Sequence, residues 1–371
     1  MRDGNTRRVY VAATSQNDGK TSLCLGLMTG LREYAQSIGF IKPVGQRYVV
    51  VGEAEVDEDA VLIQCASVTS CAQTTLKDMN PVAVPQYFTR EYLDDPDAHY
   101  PGLVRDIEES FARIAVDNDL VIIEGTGHAG VGSVFDLSNA RVASLLKAKV
   151  VIVTLGGIGH PVDEVALNRC LFEREGVEVI GVIANKVLPE KLEQTRHYLH
   201  KAFSRMGIPL LGVIPYMPRL TWPTVRQVSD ALGAQIIHGE DYLDNTIASV
   251  VIGAMTSHNA LNFIHNRSLL VVPGDRDDLV LAAASLDTLR EDINLAGILF
   301  TGGILPQPQT IDLLRRTKIS AIAVERLTYE AAMRIQKLTV KIQVSDEEKI
   351  QLASTMVQEH VKLKALWDSL A

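Results

Sequence analysis

Short apolar runs rich in β-branched residues, hydrophobic at every position rather than at alternate ones, recur along this sequence with helical stretches between them. Residues 9–12, 120–123, 150–155 and 179–184 are such runs, and helical patterns follow each at 21–37, 139–146, 163–174 and 191–206. Strands of a parallel sheet read this way because helices cover both faces and leave no position for a polar side chain. The expected fold class is therefore α/β, a doubly wound, mainly parallel sheet with ligand loops at the C-terminal ends of its strands. Residues 64–105 break the rhythm with Pro81, Pro85, Pro96 and Pro101 and read as an inserted excursion over the site.

A chain of 371 residues exceeds what one core usually supports. After 211–215 it passes Pro218, Trp222 and Pro223, and a fresh βα pattern begins around 234–237, so the domain boundary is expected at 225–240. The reading gives a nucleotide-binding domain over 1–230 and a smaller α/β domain over 240–345 with strands at 269–272, 297–300 and 321–324. A C-terminal docking helix over 346–371 follows. No stretch approaches the roughly 20 apolar residues needed to cross a bilayer, and the start carries no apolar signal region, so a cytoplasmic protein without membrane partners is expected. Cys24, Cys65, Cys71 and Cys170 stand in no zinc-like or CxxC spacing, which predicts neither disulfide nor structural zinc. A net charge of −9 argues against nucleic acid as a partner, since that would require a basic face.

The first strand runs into Ala13-Thr14-Ser15-Gln16-Asn17-Asp18-Gly19-Lys20-Thr21-Ser22 and then an apolar helix. A strand-loop-helix of this kind turns successive backbone N–H groups and a helix N-terminus toward phosphate. Lys20 supplies a point charge and Thr21 a hydroxyl for Mg²⁺, while Asn17, Asp18, Gly19 and Ser22 complete the cradle. The strict phosphate-loop pattern places glycine where Thr14 stands.

With Gly39-Phe40-Ile41-Lys42-Pro43-Val44 as the next element, the sequence resembles dethiobiotin synthetase and its relatives. Further ordered matches are Asp57-Glu58-Asp59-Ala60, the stretch ending in Glu124-Gly125-Thr126-Gly127, then Gly181-Val182-Ile183-Ala184-Asn185-Lys186, and Gly212-Val213-Ile214-Pro215-Tyr216-Met217-Pro218. The resemblance implies ATP and Mg²⁺ as cofactors. Thr21, Asp59 and Glu124 would lie on the metal side, Lys20 and Lys42 on the transferring phosphoryl group, and Asn185 with Pro215 and Met217 around the adenine. Bland readings stand beside these: a solvated acid for Asp59, a turn residue for Asn185, a structural strand-end lysine for Lys42. The family has glycine where this chain has Ala13, which cannot adopt a positive φ as cheaply. It grips its diamine with polar residues where Gln16 and Gln46 stand here, so biotin chemistry is not expected. A cobyrinate-type amidoligase would need a nucleophilic cysteine in a following glutaminase domain, and no cysteine follows Cys170.

A fuller resemblance is to the non-catalytic N-terminal region of long bacterial phosphate acetyltransferases. Three stretches carry it: residues 79–94, residues 124–140, and Gly274-Asp275-Arg276-Asp277-Asp278 with Thr301-Gly302-Gly303, which looks like a DRTGG domain. This implies a Mg-ATP-binding regulatory or scaffold protein, a homo-oligomer acting on a separately encoded acyl-phosphate enzyme and not itself an acetyltransferase. A ligase phosphorylating a carboxylate or carbamate, and a relic that has lost its nucleotide, are the alternatives. Arg276 and the Gly302-Gly303 turn read either as an anion site or as local fold-forming contacts.

Overall fold

The strand Arg7–Ala13 lies in the middle of a six-stranded, wholly parallel sheet. The order is Leu210–Pro215, Val179–Val187, Lys149–Leu155, Arg7–Ala13, Leu120–Glu124, Ile38–Ile41. Val9, Val11, Ala12 and Ala13 are wholly buried, as the uninterrupted apolar run requires. The computed structural model describes residues 6–45, 48–52, 54–66, 74–85, 87–290, 292–338 and 340–371. Gln46 and Cys71, both read above, lie outside these described residues.

The chain divides into two units, Met1–Met217 with Ile342–Ala371, and Pro218–Lys341. The division thus precedes the expected 225–240 junction. The reason is the helix Val225–Leu232, which opens with a Thr224/Gln227 capping box. It buries Val225, Val228 and Leu232 with Leu269, Val271, Leu299 and Ile322 of the second sheet. That sheet has the order Gln235–His238, Ser320–Ala323, Gly297–Thr301, Ser268–Pro273, Ser249–Ile252, with only the first strand antiparallel to its neighbour. Its other face packs Leu270, Val272, Ile298 and Phe300 on Leu279, Val280 and Ala283.

The C-terminal segment returns to the first unit as two helices, Glu347–His360 and Leu363–Ser369, not one. They part at Val361, which bridges to Gly212 as an extra strand residue while Lys362 N–H donates to Leu211 O at 2.8 Å. The first of them lies on the helix Lys20–Gly30, where a Cβ at Gly26 would stand 2.2 Å from the Val357 Cβ. Arg7 donates to Trp367 O at 2.6 Å with its guanidinium 3.8 Å from the indole centroid. The proline-marked excursion also holds more order than expected. The helix Pro96–Val116 starts within it, capped by Asp95, with Pro96 in its first turn where the missing N–H costs nothing. Pro101 gives up one hydrogen bond near the start of the helix.

In the second unit, a Cβ at Gly274 would lie 1.8 Å from Ile304 O, so glycine there is what lets two strand-end loops cross. Arg276 spends its guanidinium on Asp278 at 2.8 Å, Gly253 O at 3.0 Å and Met255 O at 2.9 Å. These are the local, fold-forming contacts.

A fragment of residues 218–341 should therefore fold cooperatively, while one beginning at 240 should not. Losing Val225, Val228 and Leu232 removes roughly 4.5–9 kcal/mol at about 1.5–3 kcal/mol per buried side chain, against a domain stability of about 5–15 kcal/mol. Circular dichroism melts compare them; equal melting of both fragments would refute the assignment of this helix to the second core.

Candidate functional site

The phosphate loop leaves the central strand at its C-terminal end and enters the helix Lys20–Gly30. Ala13 is still strand, paired with Val153, and has no positive φ, so the missing family glycine imposes no strain. The left-handed positions are instead Asn17 at φ 62° and Gly19 at φ 96°. At Gly19 a side chain is doubly excluded, since a Cβ would also stand 2.2 Å from Asn185 Nδ2. The first helical N–H to bond backward is that of Leu23, to Gly19 O, which leaves those of Lys20, Thr21 and Ser22 at the helix mouth. Thr14, in the place of a glycine, donates its hydroxyl to Asp18 Oδ2 at 3.0 Å, and Ser15 N–H donates to the same oxygen at 2.7 Å. These bonds close the loop on itself.

Lys20, 8% exposed, donates to Ser15 O and Gly127 O, both at 3.3 Å. Burial pushes its ammonium below the usual lysine range, with Glu124 and Asp18 pulling the other way. The Thr21 hydroxyl donates to Glu124 Oε1 at 2.9 Å, and Glu124 Oε2 is buried with no partner among the described residues. Burial first, and then the Asp59 charge, raise the Glu124 carboxyl to about 7 against the pull of Lys42 and Lys20. A hydroxyl beside a half-satisfied carboxylate is an oxygen donor set that suits a hard divalent cation. Among the described residues no three His, Cys, Asp or Glu cluster as ligands, so a cation here would also draw on phosphate oxygens and water.

Lys42 is placed differently from Lys20. It donates to Asp57 Oδ1 at 2.8 Å and to Asp59 Oδ2, with all three side chains at 6% exposure or less. Burial alone would lower its ammonium, but Asp59, Glu124 and Asp57 outweigh burial and hold it above the usual range. Asp59 is thus an ion-pair partner of Lys42 here, and Asp57, given no role from the sequence, is the other. Asn80 locks the pair by donating to Lys42 O at 2.8 Å and accepting from Asp57 N–H at 2.9 Å. Asn139 does the same for the loop that follows Glu124, accepting from Tyr10 at 2.8 Å and Thr126 N–H at 3.0 Å while donating to Thr126 O and His128 O. The sequence reading missed both asparagines as site residues; Asn139 was legible only as part of a family-like loop.

Asn185, two residues before the end of its strand, is 9% exposed, donating to Asp18 O at 2.8 Å and accepting from Lys186 N–H at 2.9 Å. One amide hydrogen and one lone pair remain for any other partner. Pro215 pairs with Val187 and Tyr216 N–H donates to Val187 O at 2.7 Å, which sets the segment ending at Met217 beside the Asn185 strand. Gln16 is exposed in the loop.

Two outcomes follow from the charges. Lys42→Met leaves Asp57 and Asp59 buried without their cation and should lower stability by roughly 3–5 kcal/mol in urea unfolding; a loss under about 1 kcal/mol would contradict the buried pair. For Glu124, a folded-state pKa above the unfolded one means that ionisation is penalised by folding, so the wild type loses stability as pH rises from about 4.5 through 7. In chelator, the stability of Glu124→Gln relative to wild type should therefore rise between pH 5 and pH 8. A flat difference would show that burial does not govern this carboxyl.

Residues 7–224 match the family model AAA_26, described as an AAA domain, and residues 227–338 match the DRTGG domain. The chain is 29% identical over 372 residues to the phosphate acetyltransferase of Pseudomonas putida, and 27% identical over 377 residues to that of Pseudomonas aeruginosa. Each alignment covers 96% of this chain and 51% of the relative. The chain thus spans about half the length of the curated relatives it matches, and it is related to their N-terminal region. Among solved structures, the MinC:MinD cell division complex of Aquifex aeolicus matches at 15% identity and a TM-score of 0.36, covering 58% of this chain and 84% of that one. The CBS and DRTGG domains of the regulatory region of Clostridium perfringens pyrophosphatase, complexed with the activator diadenosine tetraphosphate, match at 19% identity and a TM-score of 0.27. That match covers 36% of this chain and 59% of the other. The phosphate loop and its parallel sheet fall within the longer of the two family matches: the chain belongs to the AAA_26 family of AAA domains and carries a DRTGG domain after it.

Proposed function

We propose that the first unit binds Mg²⁺-ATP at the 13–22 loop and that the protein serves as a regulatory or scaffolding module rather than as a ligase. The observation that carries the binding reading is the meeting of Thr21 and Glu124 at 2.9 Å, with the second carboxylate oxygen buried and unpartnered at the mouth of a phosphate loop. Lys20 and the N–H groups of residues 19–22 would hold the phosphates. Thr21 and Glu124 would hold the cation, with Asp59 on the same side. Bound Mg²⁺ would neutralise phosphate charge. The free hydrogen and lone pair of Asn185 would face the adenine, flanked by Pro215 and Met217.

What favours a module over a ligase is Lys42. Phosphoryl transfer asks for cations on the transferring group, and this ammonium is already shared between two buried carboxylates. The resemblance to the N-terminal region of phosphate acetyltransferases, together with the DRTGG match, supports an assembly or sensing role in a homo-oligomer. The partner proposed is an enzyme of acyl-phosphate chemistry. Among the described residues no helix is long and apolar enough to cross a membrane, and the net charge is −9, which supports a cytoplasmic protein whose partners are neither lipid nor nucleic acid.

Calorimetry should show ATP binding that requires magnesium and is weakened at least about tenfold in Lys20→Ala, the loss expected for a charge-assisted contact. Oligomer mass and hydrogen exchange should change with ATP in the wild type and not in that variant, since a ligand shifts an equilibrium only by its differential affinity. Phosphate release should stay slow with and without 7,8-diaminononanoate and bicarbonate. Substrate-stimulated release with an assembly state blind to ATP would decide for the ligase.

A further inference from the structure

Two consecutive residues near the C-terminal end of the strand Val179–Val187, Asn185 and Lys186, reach back to the tip of the phosphate loop. Asn185 Nδ2 donates to the carbonyl of Asp18 at 2.8 Å, and Lys186 Nζ donates to the carbonyl of Asn17 at 2.6 Å. The two acceptors are consecutive and immediately precede Gly19. They belong to the peptide units Asn17-Asp18 and Asp18-Gly19, and the chain has no cis peptide bond among its described residues. In a planar trans peptide the C=O and the following N–H point in opposite directions. Fixing the carbonyls of Asn17 and Asp18 toward the strand end therefore fixes the N–H groups of Asp18 and Gly19 away from it.

The backbone at both ends of the contact is adapted to it. Asn17 and Lys186 are non-glycine residues at φ 62° and 55°, a region that costs a side-chain-bearing residue energy and persists where surrounding contacts hold it. Gly19 leaves room for the amide, which a Cβ would meet at 2.2 Å. Asn185 is itself oriented, since its Oδ1 accepts from Lys186 N–H at 2.9 Å, so the amide cannot rotate without giving up both bonds.

We infer that Asn185 and Lys186 act as positioning residues for phosphate recognition: they clamp the carbonyls of Asp18 and Asn17 and so aim the N–H groups of Gly19 and Asp18 into the cradle. This rests on the nucleotide-binding reading above and deepens it. The strand end acts on the triphosphate through the loop, whatever the remaining polar atoms of Asn185 do with the base. It also gives Lys186 a role, although its ammonium touches a backbone oxygen rather than ligand.

The test separates phosphate from base by using a ligand with no base. Full-length wild type, Asn185→Ala, Lys186→Met and Lys186→Arg are titrated with Mg²⁺-ATP and with Mg²⁺-tripolyphosphate by calorimetry, with folding checked by thermal melting. Lys186→Met keeps the apolar stem at a partly exposed position and so guards against a variant that fails to fold. Asn185→Ala and Lys186→Met should weaken ATP and tripolyphosphate by the same factor, about tenfold for a lost charge-assisted or buried bond, and Lys186→Arg should recover most of the loss. If Asn185→Ala weakens ATP while tripolyphosphate binds as in wild type, the amide reads the base and the clamp is overturned. If neither variant changes either ligand, the clamp is overturned while nucleotide binding stands. If wild type binds neither ligand, both readings fall.

Discussion

Charge buried at the C-terminal edge of a parallel sheet is the condition to which the rest of this site answers. Lys20, Lys42, Asp57, Asp59 and Glu124 are all at most 8% exposed. An isolated ion in such a place is prohibitively costly, so every one must be paired, hydrogen-bonded or neutralised. Lys42 with its two aspartates is the fully paired solution, braced by Asn80. Glu124 is the incomplete one, with one oxygen on Thr21, the other without a hydrogen-bond partner among the described residues, and its carboxyl lifted toward neutrality by burial. The contrast separates a paired buried charge from one left half-satisfied, although the chain supplies both from neighbouring strand ends.

The phosphate-loop helix is held from its far side as well. Gly26 and Gly30 leave space that Val357 and Leu363 of the returning C-terminal segment fill, and Thr29 Oγ1 donates to Ser354 Oγ at 3.0 Å. The same segment ties down Arg7 at the start of the central strand, and Lys149 at the start of its neighbour donates to Ser369 O and Ala371 O. The second unit is therefore inserted in the chain between the last strand of the first sheet and the helices that complete its packing. One of its two connections leads, within the first unit, to the edge strand Leu210–Pro215, and the other to the helix Glu347–His360 that packs on the phosphate-loop helix.

Much of this was legible from residue order. Fully apolar runs placed these parallel strands to within three residues at either end, because a strand covered on both faces has no freedom to be polar. Gly19-Lys20-Thr21 located the phosphate loop because its geometry is local: one glycine at positive φ and one helix start. Less legible were the excursion, where Pro96 opened a 21-residue helix rather than preventing one, and the domain division. There the helix that opens with the Thr224 capping box was not read from the sequence, and only packing shows which core it joins.

The sequence by itself determined the α/β class, the strand order along the chain, the phosphate loop and the carboxylate at the end of the Glu124 strand. These depend on contacts within a few residues or on burial periodicity, which any stretch of chain carries on its face. Only the tertiary structure decided that Asp57 and Asp59 share Lys42, that Asn80 and Asn139 lock the two site loops, that Asn185 and Lys186 hold the loop carbonyls, and that the last thirty residues rejoin the first unit. Each of these pairs groups far apart in sequence, and a charge or amide fixes its partner through distance and burial, quantities that residue order does not contain.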